Sequence, residues 1–324
     1  MAELPSSQIR DQLTDRRVKL EGALVSAPRD AELLQLLSDV DEAISRLDEG
    51  TYGLCKTCQE PIESERLIAD PLVQYCLDHL TPTQKQALEQ DLELASQIQT
   101  ALLPPKNLKE LGWDTTYYYE GVGPVSGDYC DLLSFGSDLY FTVGDVSGKG
   151  VAASMLMAHL HATFRALAPL ELPLNKLVEQ ASRMFCESTL PTHFATLVCG
   201  KASSTGEVEI CNAGHNPVLL VQGSKIEKIE ATGLPLGMFC EERFALSKVQ
   251  LAPDDTIILY TDGLSEAVNT SGVEYGIERL IGIISENHSL SPEKLISACL
   301  KDLKTFQSGV PKTDDLTIMV IRKL

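Results

Sequence analysis

Apolar positions in the first hundred residues recur at spacings of three and four. Ile9, Leu13, Val18, Leu20 and Leu24 predict a helix over 6–25. Leu33, Leu34, Leu37, Val40, Ile44 and Leu47 predict a second over 31–47. Ser26-Ala27-Pro28-Arg29-Asp30 between them reads as a turn, so the pair should form an antiparallel hairpin. Thr81 as cap, Pro82 at the first helical position and Gln84 as the answering side chain open a third helix, and Pro104-Pro105 ends it. Leu88, Leu92, Ala95, Ile98 and Leu102 make a narrow stripe along that helix. Such a stripe suits a second copy of the same helix or the chain's own downstream domain.

From residue 113 the period shortens. Strands are predicted at 115–120, 129–134, 139–145, 194–201, 207–211, 218–222, 244–249, 256–260 and 316–322. Helices are predicted at 151–167, 174–187, 276–287 and 292–306. Two groups of strands with two helix pairs predict an α+β fold, a β-sandwich flanked by helix pairs. The expected organisation is a helical hairpin with a small appended segment over 1–80, a linker helix over 81–105 and a larger α+β domain over 106–324.

Composition narrows the class. The 324 residues are 44% hydrophobic and 23% charged, enough for a real core. The net charge is −19, and residues 1–103 carry 9 basic and 19 acidic side chains. A chain so acidic, with no Lys/Arg run, is not expected to bind nucleic acid or an anionic membrane. No apolar run reaches membrane-spanning length, and the first residues lack the form of a secretory signal, so a cytoplasmic protein is expected. In that compartment the nine cysteines should not form disulfides. Cys130, Cys186, Cys199, Cys211, Cys240 and Cys299 read as small core residues.

Cys55, Cys58, Cys76 and His79 stand apart. Their order is Cys-x2-Cys, 17 residues, Cys-x2-His. Two tight pairs of soft donors on separate turns can close a tetrahedron around one structural Zn2+. Four Asp-bearing turns punctuate the strand region: Ser126-Gly127-Asp128, Gly144-Asp145-Val146, Thr261-Asp262-Gly263 and Thr313-Asp314-Asp315. Taken singly, an Asp-Gly turn is ordinary turn chemistry. Gathered at strand ends without His or Cys, these carboxylates suit hard cations, Mg2+ or Mn2+. Gly148-Lys149-Gly150 lacks the spacing of a nucleotide phosphate loop.

Two resemblances follow from these motifs. Residues 1–80 resemble DksA/TraR zinc fingers through Gly50-Thr51-Tyr52-Gly53-Leu54-Cys55, Pro61-Ile62, Arg66-Leu67 and the second ligand pair, with His79 where the family usually has Cys. The hairpin tip, Ala27-Pro28-Arg29-Asp30, lacks the spaced acidic residues of polymerase-binding members, so RNA polymerase is not the expected partner. Residues 90–324 resemble the SpoIIE/RsbU branch of the PPM metal-dependent serine/threonine protein phosphatases. The matching residues are Gln97-Ile98-Gln99, Leu102-Leu103-Pro104, Gly144 through Ala153, Asn212-Ala213-Gly214-His215-Asn216-Pro217, Thr232-Gly233-Leu234-Pro235-Leu236-Gly237, and the Asp262-Gly263 and Asp314-Asp315 turns.

This second resemblance implies two Mn2+ or Mg2+ ions. Asp145 would bridge them, the Val146 carbonyl would add a donor, and Asp128, Asp262 and Asp314 would complete the centre. Asp131, Asp315 and Glu266 would take supporting or accessory-metal roles. A bridging hydroxide would attack phosphoserine or phosphothreonine in line. No His follows Asp145, and His215 reads as structural. The resemblance also implies bacterial signalling, a phosphorylated anti-sigma-factor antagonist as substrate, and a linker helix that couples the N-terminal zinc-finger region to the metal site; with the narrow stripe on that helix, a homodimer through it is expected. The competing reading is a zinc-finger transcription regulator carrying an inert phosphatase-like scaffold.

Overall fold

A computed structural model describes residues 6–26, 30–80, 82–190 and 192–324. The chain divides into two compact units, Met1–Asp91 and Leu92–Leu324. No helix among the described residues is long and apolar enough to cross a membrane.

In the first unit α1 (Ser6–Ser26) and α2 (Ala31–Asp48) pack through Ile9 and Leu13 against Val40 and Ala43, with Leu20, Ile44 and Leu47 at the margin. Val18, predicted in this stripe, is exposed instead. Five residues on from Leu13, it faces about 140° away around the helix. The hairpin tip at 27–29 and the capping residue Thr81 lie outside the described residues. A short helix α3 (Ser64–Ala69) and a single turn at Leu77–His79 follow. Their core is Cys55, Ile62, Leu67 and Cys76, so the cysteines are themselves much of the apolar interior. Helix α4 (Pro82–Leu102) runs unbroken through the boundary between the units.

The second unit has four layers. One sheet contains β1 (Asn107–Glu110), β2 (Trp113–Glu120), β7 (Val218–Gln222), β8 (Lys225–Ile229), β10 (Thr256–Tyr260) and β11 (Leu316–Lys323), in the order β1-β2-β11-β10-β7-β8. The other contains β3 (Asp128–Phe135), β4 (Asp138–Val146), β5 (Ala195–Ser203), β6 (Glu207–Ala213) and β9 (Ser247–Gln250), in the order β3-β4-β5-β6-β9. Every ladder is antiparallel, and the two sheets face each other across Trp113, Phe141, Val143, Ile210, Ile257, Leu259 and Met319. Helices α5 (Gly150–Leu167) and α6 (Leu174–Ser188) cover the five-stranded sheet through Met157, Leu160, Phe164, Leu177 and Phe185. Helices α8 (Ile277–Asn287) and α9 (Pro292–Gln307) cover the six-stranded sheet through Leu280, Ile284, Leu295 and Leu303. A one-turn helix α7 (Asp262–Ser265) follows β10.

The flanked sandwich agrees with the α+β expectation. Two strands were not predicted, β1 and β8. Both are edge strands with largely exposed faces, so Asn-Leu-Lys-Glu and Lys-Ile-Glu-Lys-Ile carry too little apolar alternation to register. The strand predicted at 244–249 begins later, at Ser247, because Phe244 is buried in the helix-side core. Cys130, Cys199, Cys211 and Cys299 are buried free thiols, as expected. The absence of disulfides was not: Cys186 and Cys240 are bonded. They are 54 residues apart but stand with Cα atoms 5.4 Å apart, within the reach of the bond.

Candidate active site

The strand register delivers the acidic turns to one end of the sandwich. Asp128 opens β3 and lies opposite Asp145 on β4. In the facing sheet β10 leads through Thr261 into Asp262, and β11 starts just after Asp314 and Asp315. Hydroxyls join the sheets: Thr261 Oγ1 and Thr317 Oγ1 both donate to Asp128 Oδ2, at 3.0 and 2.5 Å. Gathering carboxylates here opposes their ionisation. Burial, then the charges of Asp262, Asp314 and Asp315, raise Asp145 to about 7. Burial holds Asp128 well above the ordinary range despite the two threonines, with Asp145 and Asp315 adding to it. Asp262 is raised by burial and by Asp314. Glu266, at the end of α7, is raised by its partial burial and by Asp262, Glu274 and Asp314.

Two glycines permit this convergence. A Cβ on Gly127 would stand 3.1 Å from the Val146 carbonyl oxygen and 3.3 Å from Asp145 Oδ1. Those two oxygens therefore face a cradle that a side chain would fill. A Cβ on Gly263 would meet the Asp315 carbonyl oxygen at 1.8 Å, so only glycine lets the Asp262 turn close on the Asp314 turn. The donor set is all oxygen and like-charged, which fits hard divalent cations and favours binding them.

The remaining predicted residues take distinct places. Asp315 accepts N–H bonds from Val122 at 2.7 Å and Gly127 at 2.9 Å, and so fastens the first acidic turn to the last. Lys149 Nζ sits at the rim, 2.9 Å from Asp314 Oδ2 and 2.7 Å from the Thr313 carbonyl. Asp131 is three residues from Asp128 and so faces the other side of β3, where Arg165 on α5 donates to it at 2.7 and 2.5 Å. His215 is fully engaged: Thr196 Oγ1 lies 2.8 Å from Nδ1 and the Tyr260 carbonyl 3.1 Å from Nε2. The carbonyl needs a donor, so Nε2 carries the proton and Nδ1 accepts from Thr196. Burial lowers His215 to about 4. Thr196 lies opposite Asp145, and Tyr260 is two residues from Asp262, so this neutral ring braces the two sheets just behind the carboxylates.

In the sequence Gln99 on α4 reads only as part of a motif. It is buried, with Nε2 donating to the Ser126 carbonyl at 2.7 Å and Oε1 accepting from the Ser126 N–H at 2.9 Å. Ser126 Oγ in turn accepts from the Asp128 N–H at 3.1 Å. The linker helix is thus clamped to the first acidic turn. The predicted stripe is offset: Ile98 is 57% exposed while its polar neighbour Gln99 is the buried residue.

In the first unit the donor atoms of Cys55, Cys58, Cys76 and His79 all lie within 4.8 Å of one another. Cys58 Sγ is 3.8 Å from Cys76 Sγ, and Cys76 Sγ is 3.2 Å from His79 Nδ1. Burial opposes ionisation of Cys55, but the N–H groups of Cys58, Cys76 and Thr57 outweigh it and bring the thiol down to about 6. Cys76 is pushed up to about 11 by burial and by sharing its space with Cys55 and Cys58. A cation among them removes that conflict, and two or three thiolates with one imidazole fit Zn2+.

Residues 136–324, more than half of the chain, match the family model described as "Stage II sporulation protein E (SpoIIE)". The chain belongs to the SpoIIE family. Residues 50–78 match the prokaryotic dksA/traR C4-type zinc finger. Relatives of this chain include Protein IcfG of Synechocystis, 27% identical over 71% of this chain and 41% of that protein. The phosphoserine phosphatase RsbU of Bacillus subtilis is 22% identical over 74% of this chain and 72% of its own length. The chain thus spans less than half the length of IcfG. Among solved structures, the SiaA-PP2C domain of Pseudomonas aeruginosa superposes with a TM-score of 0.65 at 19% identity, covering 74% of this chain and 97% of that one. The PP2C domain of SpoIIE from B. subtilis does so with a TM-score of 0.59 at 18% identity, over 67% and 64%. The sandwich is therefore the PP2C phosphatase fold.

Two outcomes follow from these sites. Elemental analysis of the full chain should show about one zinc bound at the cysteine cluster, and Cys58→Ser should lower it and expose residues 50–80 to protease. A metal-free cluster with unchanged protease resistance contradicts the assignment. His215 binds its proton more weakly folded than unfolded, from an ordinary value of 6.5 down to about 4. Its contribution to stability is thus complete above 6.5 and is lost as pH falls toward 4. The urea midpoint of the wild type should fall more steeply between pH 7 and pH 5 than that of His215→Gln; parallel curves would show that the ring protonates freely.

Proposed function

We propose that the chain is a divalent-metal-dependent phosphatase acting on phosphoserine or phosphothreonine in a regulatory protein of bacterial signalling. The observation that carries this reading is the acidic cluster built around the Gly127 cradle. Asp128, Asp145, Asp262 and Asp314, with the Val146 carbonyl, would hold two Mn2+ or Mg2+ ions. Bound there, the ions would supply an activated water and neutralise the phosphoryl oxygens.

The chain's own residues do the positioning. Asp315 holds the 121–127 loop against the Asp314 turn, and Thr261 and Thr317 orient Asp128. Lys149 brings a positive charge to the rim, where it would receive a phosphoryl oxygen once cations take over its pairing with Asp314. His215 has no free nitrogen to serve as an acid, so the leaving alkoxide would take its proton from solvent. The relatives RsbU and RsbP carry the name phosphoserine phosphatase, which supports the substrate class. A phosphorylated anti-sigma-factor antagonist is the substrate we favour within it.

Regulation would run through α4. Leu88 and Ile98 are exposed along it, and Gln99 grips the first acidic turn from the same helix. Pairing with a second copy would cover the exposed residues and set the angle at which Gln99 presents Ser126. A zinc-stabilised first unit would bias that pairing.

Phosphate release from a phosphoserine protein should need Mn2+ or Mg2+ and vanish in EDTA. Asp145→Asn or Asp262→Asn should lower the rate by at least ~100-fold, through loss of a metal donor. Full turnover in EDTA, or by either variant, rules the reading out. For the linker, light scattering should show a dimer that Ile98→Glu weakens, with turnover falling alongside. A wild-type monomer, and an Ile98→Glu variant of unchanged activity, would reduce α4 to a tether.

A further inference from the structure

The one cross-link in the described chain lies outside the acidic cluster and the zinc finger. Cys186 is in the last turn of α6 and half-buried; Cys240 is in the loop after Gly237 and exposed. Their bond joins α6 to that loop. The loop begins where Leu236 exchanges two backbone hydrogen bonds with Ala195, at 3.0 and 2.7 Å. Ala195 opens β5 opposite Val146, whose carbonyl oxygen faces the Gly127 cradle. One backbone step beyond, Ser147 N donates to the Phe194 carbonyl at 2.9 Å and Phe194 N donates to Ser147 Oγ at 3.0 Å. The loop that carries Cys240 is therefore tied through the start of β5 to the strand that carries Asp145 and Val146.

Its setting differs from that of every other cysteine. Cys130, Cys199, Cys211 and Cys299 are buried, and burial raises each thiol far from ionisation at neutral pH. Cys55, Cys58 and Cys76 are close together but not disulfide-bonded, and must stay reduced to hold a metal as thiolates. Surroundings reducing enough to preserve that cluster also expose the Cys186–Cys240 bond to reduction, because Cys240 faces solvent. The bond is thus one state of a pair, with the dithiol as the other.

We propose that Cys186 and Cys240 form a thiol–disulfide exchange site whose substrate is a low-molecular-weight disulfide, with Cys240 the attacking thiol and Cys186 the resolving one. The Cys240 thiolate attacks one sulfur of the small disulfide, forming a mixed disulfide and releasing the first small thiolate. The Cys186 thiolate then attacks Cys240 Sγ, closing the internal bond and releasing the second. Two protein thiols are oxidised, one disulfide is reduced to two thiols, and the two protons pass to the departing thiolates. Closure staples the loop following Leu236 to α6 and stiffens the backbone ladder that carries Val146. Reduction releases it.

The test is peptide-level mass spectrometry of the full chain after equilibration in buffers of reduced glutathione and glutathione disulfide. The wild type should lose two hydrogens across the peptides holding Cys186 and Cys240 as the disulfide fraction rises, and regain them with dithiothreitol. Cys186→Ser should stop at the first step and carry one glutathionyl group on Cys240. Cys240→Ser should leave Cys186 unmodified. Proteolysis of the loop near Cys240 should be slower in the oxidised wild type and independent of buffer in both variants. The proposal is overturned if the wild-type pair does not change mass across the buffers. It is equally overturned if Cys186→Ser takes up glutathione at Cys55 or Cys58 in preference to Cys240. None of these readouts depends on phosphatase activity, so their failure would leave the catalytic reading standing.

Discussion

Burying several carboxylates at one end of a sandwich is the constraint on which the second unit depends. Asp128, Asp145 and Asp262 all resist ionisation, by burial first and by the charge of neighbouring carboxylates second. A fold that collects them at one end of a sandwich must hold them there by other means. The inter-sheet core, from Trp113 and Phe141 to Met319, supplies the bulk stability. Local fasteners do the rest: threonine hydroxyls on Asp128, backbone N–H groups on Asp315, and the neutral His215 ring between Thr196 and Tyr260. Strain of this kind concentrates at functional sites, and cations relieve it.

The same logic separates the two candidate metal sites by chemistry. The finger offers three thiols and an imidazole, a soft and closed set that serves as its own small core. The sandwich offers carboxylates and one carbonyl, a hard set opened by two glycines. Ions sort between such sites by donor type, so one chain can carry both without exchange.

Much of this was legible in the order of residues. Largely apolar runs, buried on both faces, announced β4, β10 and β11, and the Asp turns at their ends marked the candidate site. The zinc set was legible because its spacing is local. What escaped depended on contacts between distant residues. Gln99 reads as a surface polar residue until Ser126, 27 positions away, gives it two partners. His215 could not be seen as a strut without knowing that β5 and β10 face each other. The Cys186–Cys240 pair spans 54 residues, and each cysteine alone looks like core filling. The edge strands β1 and β8 escaped for the opposite reason, since exposure on both faces removes the apolar signal on which strand prediction rests.

Asp145 and the Val146 carbonyl would face a cation cradle kept open by Gly127. This is tested most directly by calorimetric titration of the full chain with Mn2+, wild type beside Gly127→Ala. The wild type should bind two ions saturably at the acidic centre and lose affinity substantially when a methyl group on residue 127 crowds those oxygens. Equal binding by both proteins, or no binding by the wild type, would contradict it.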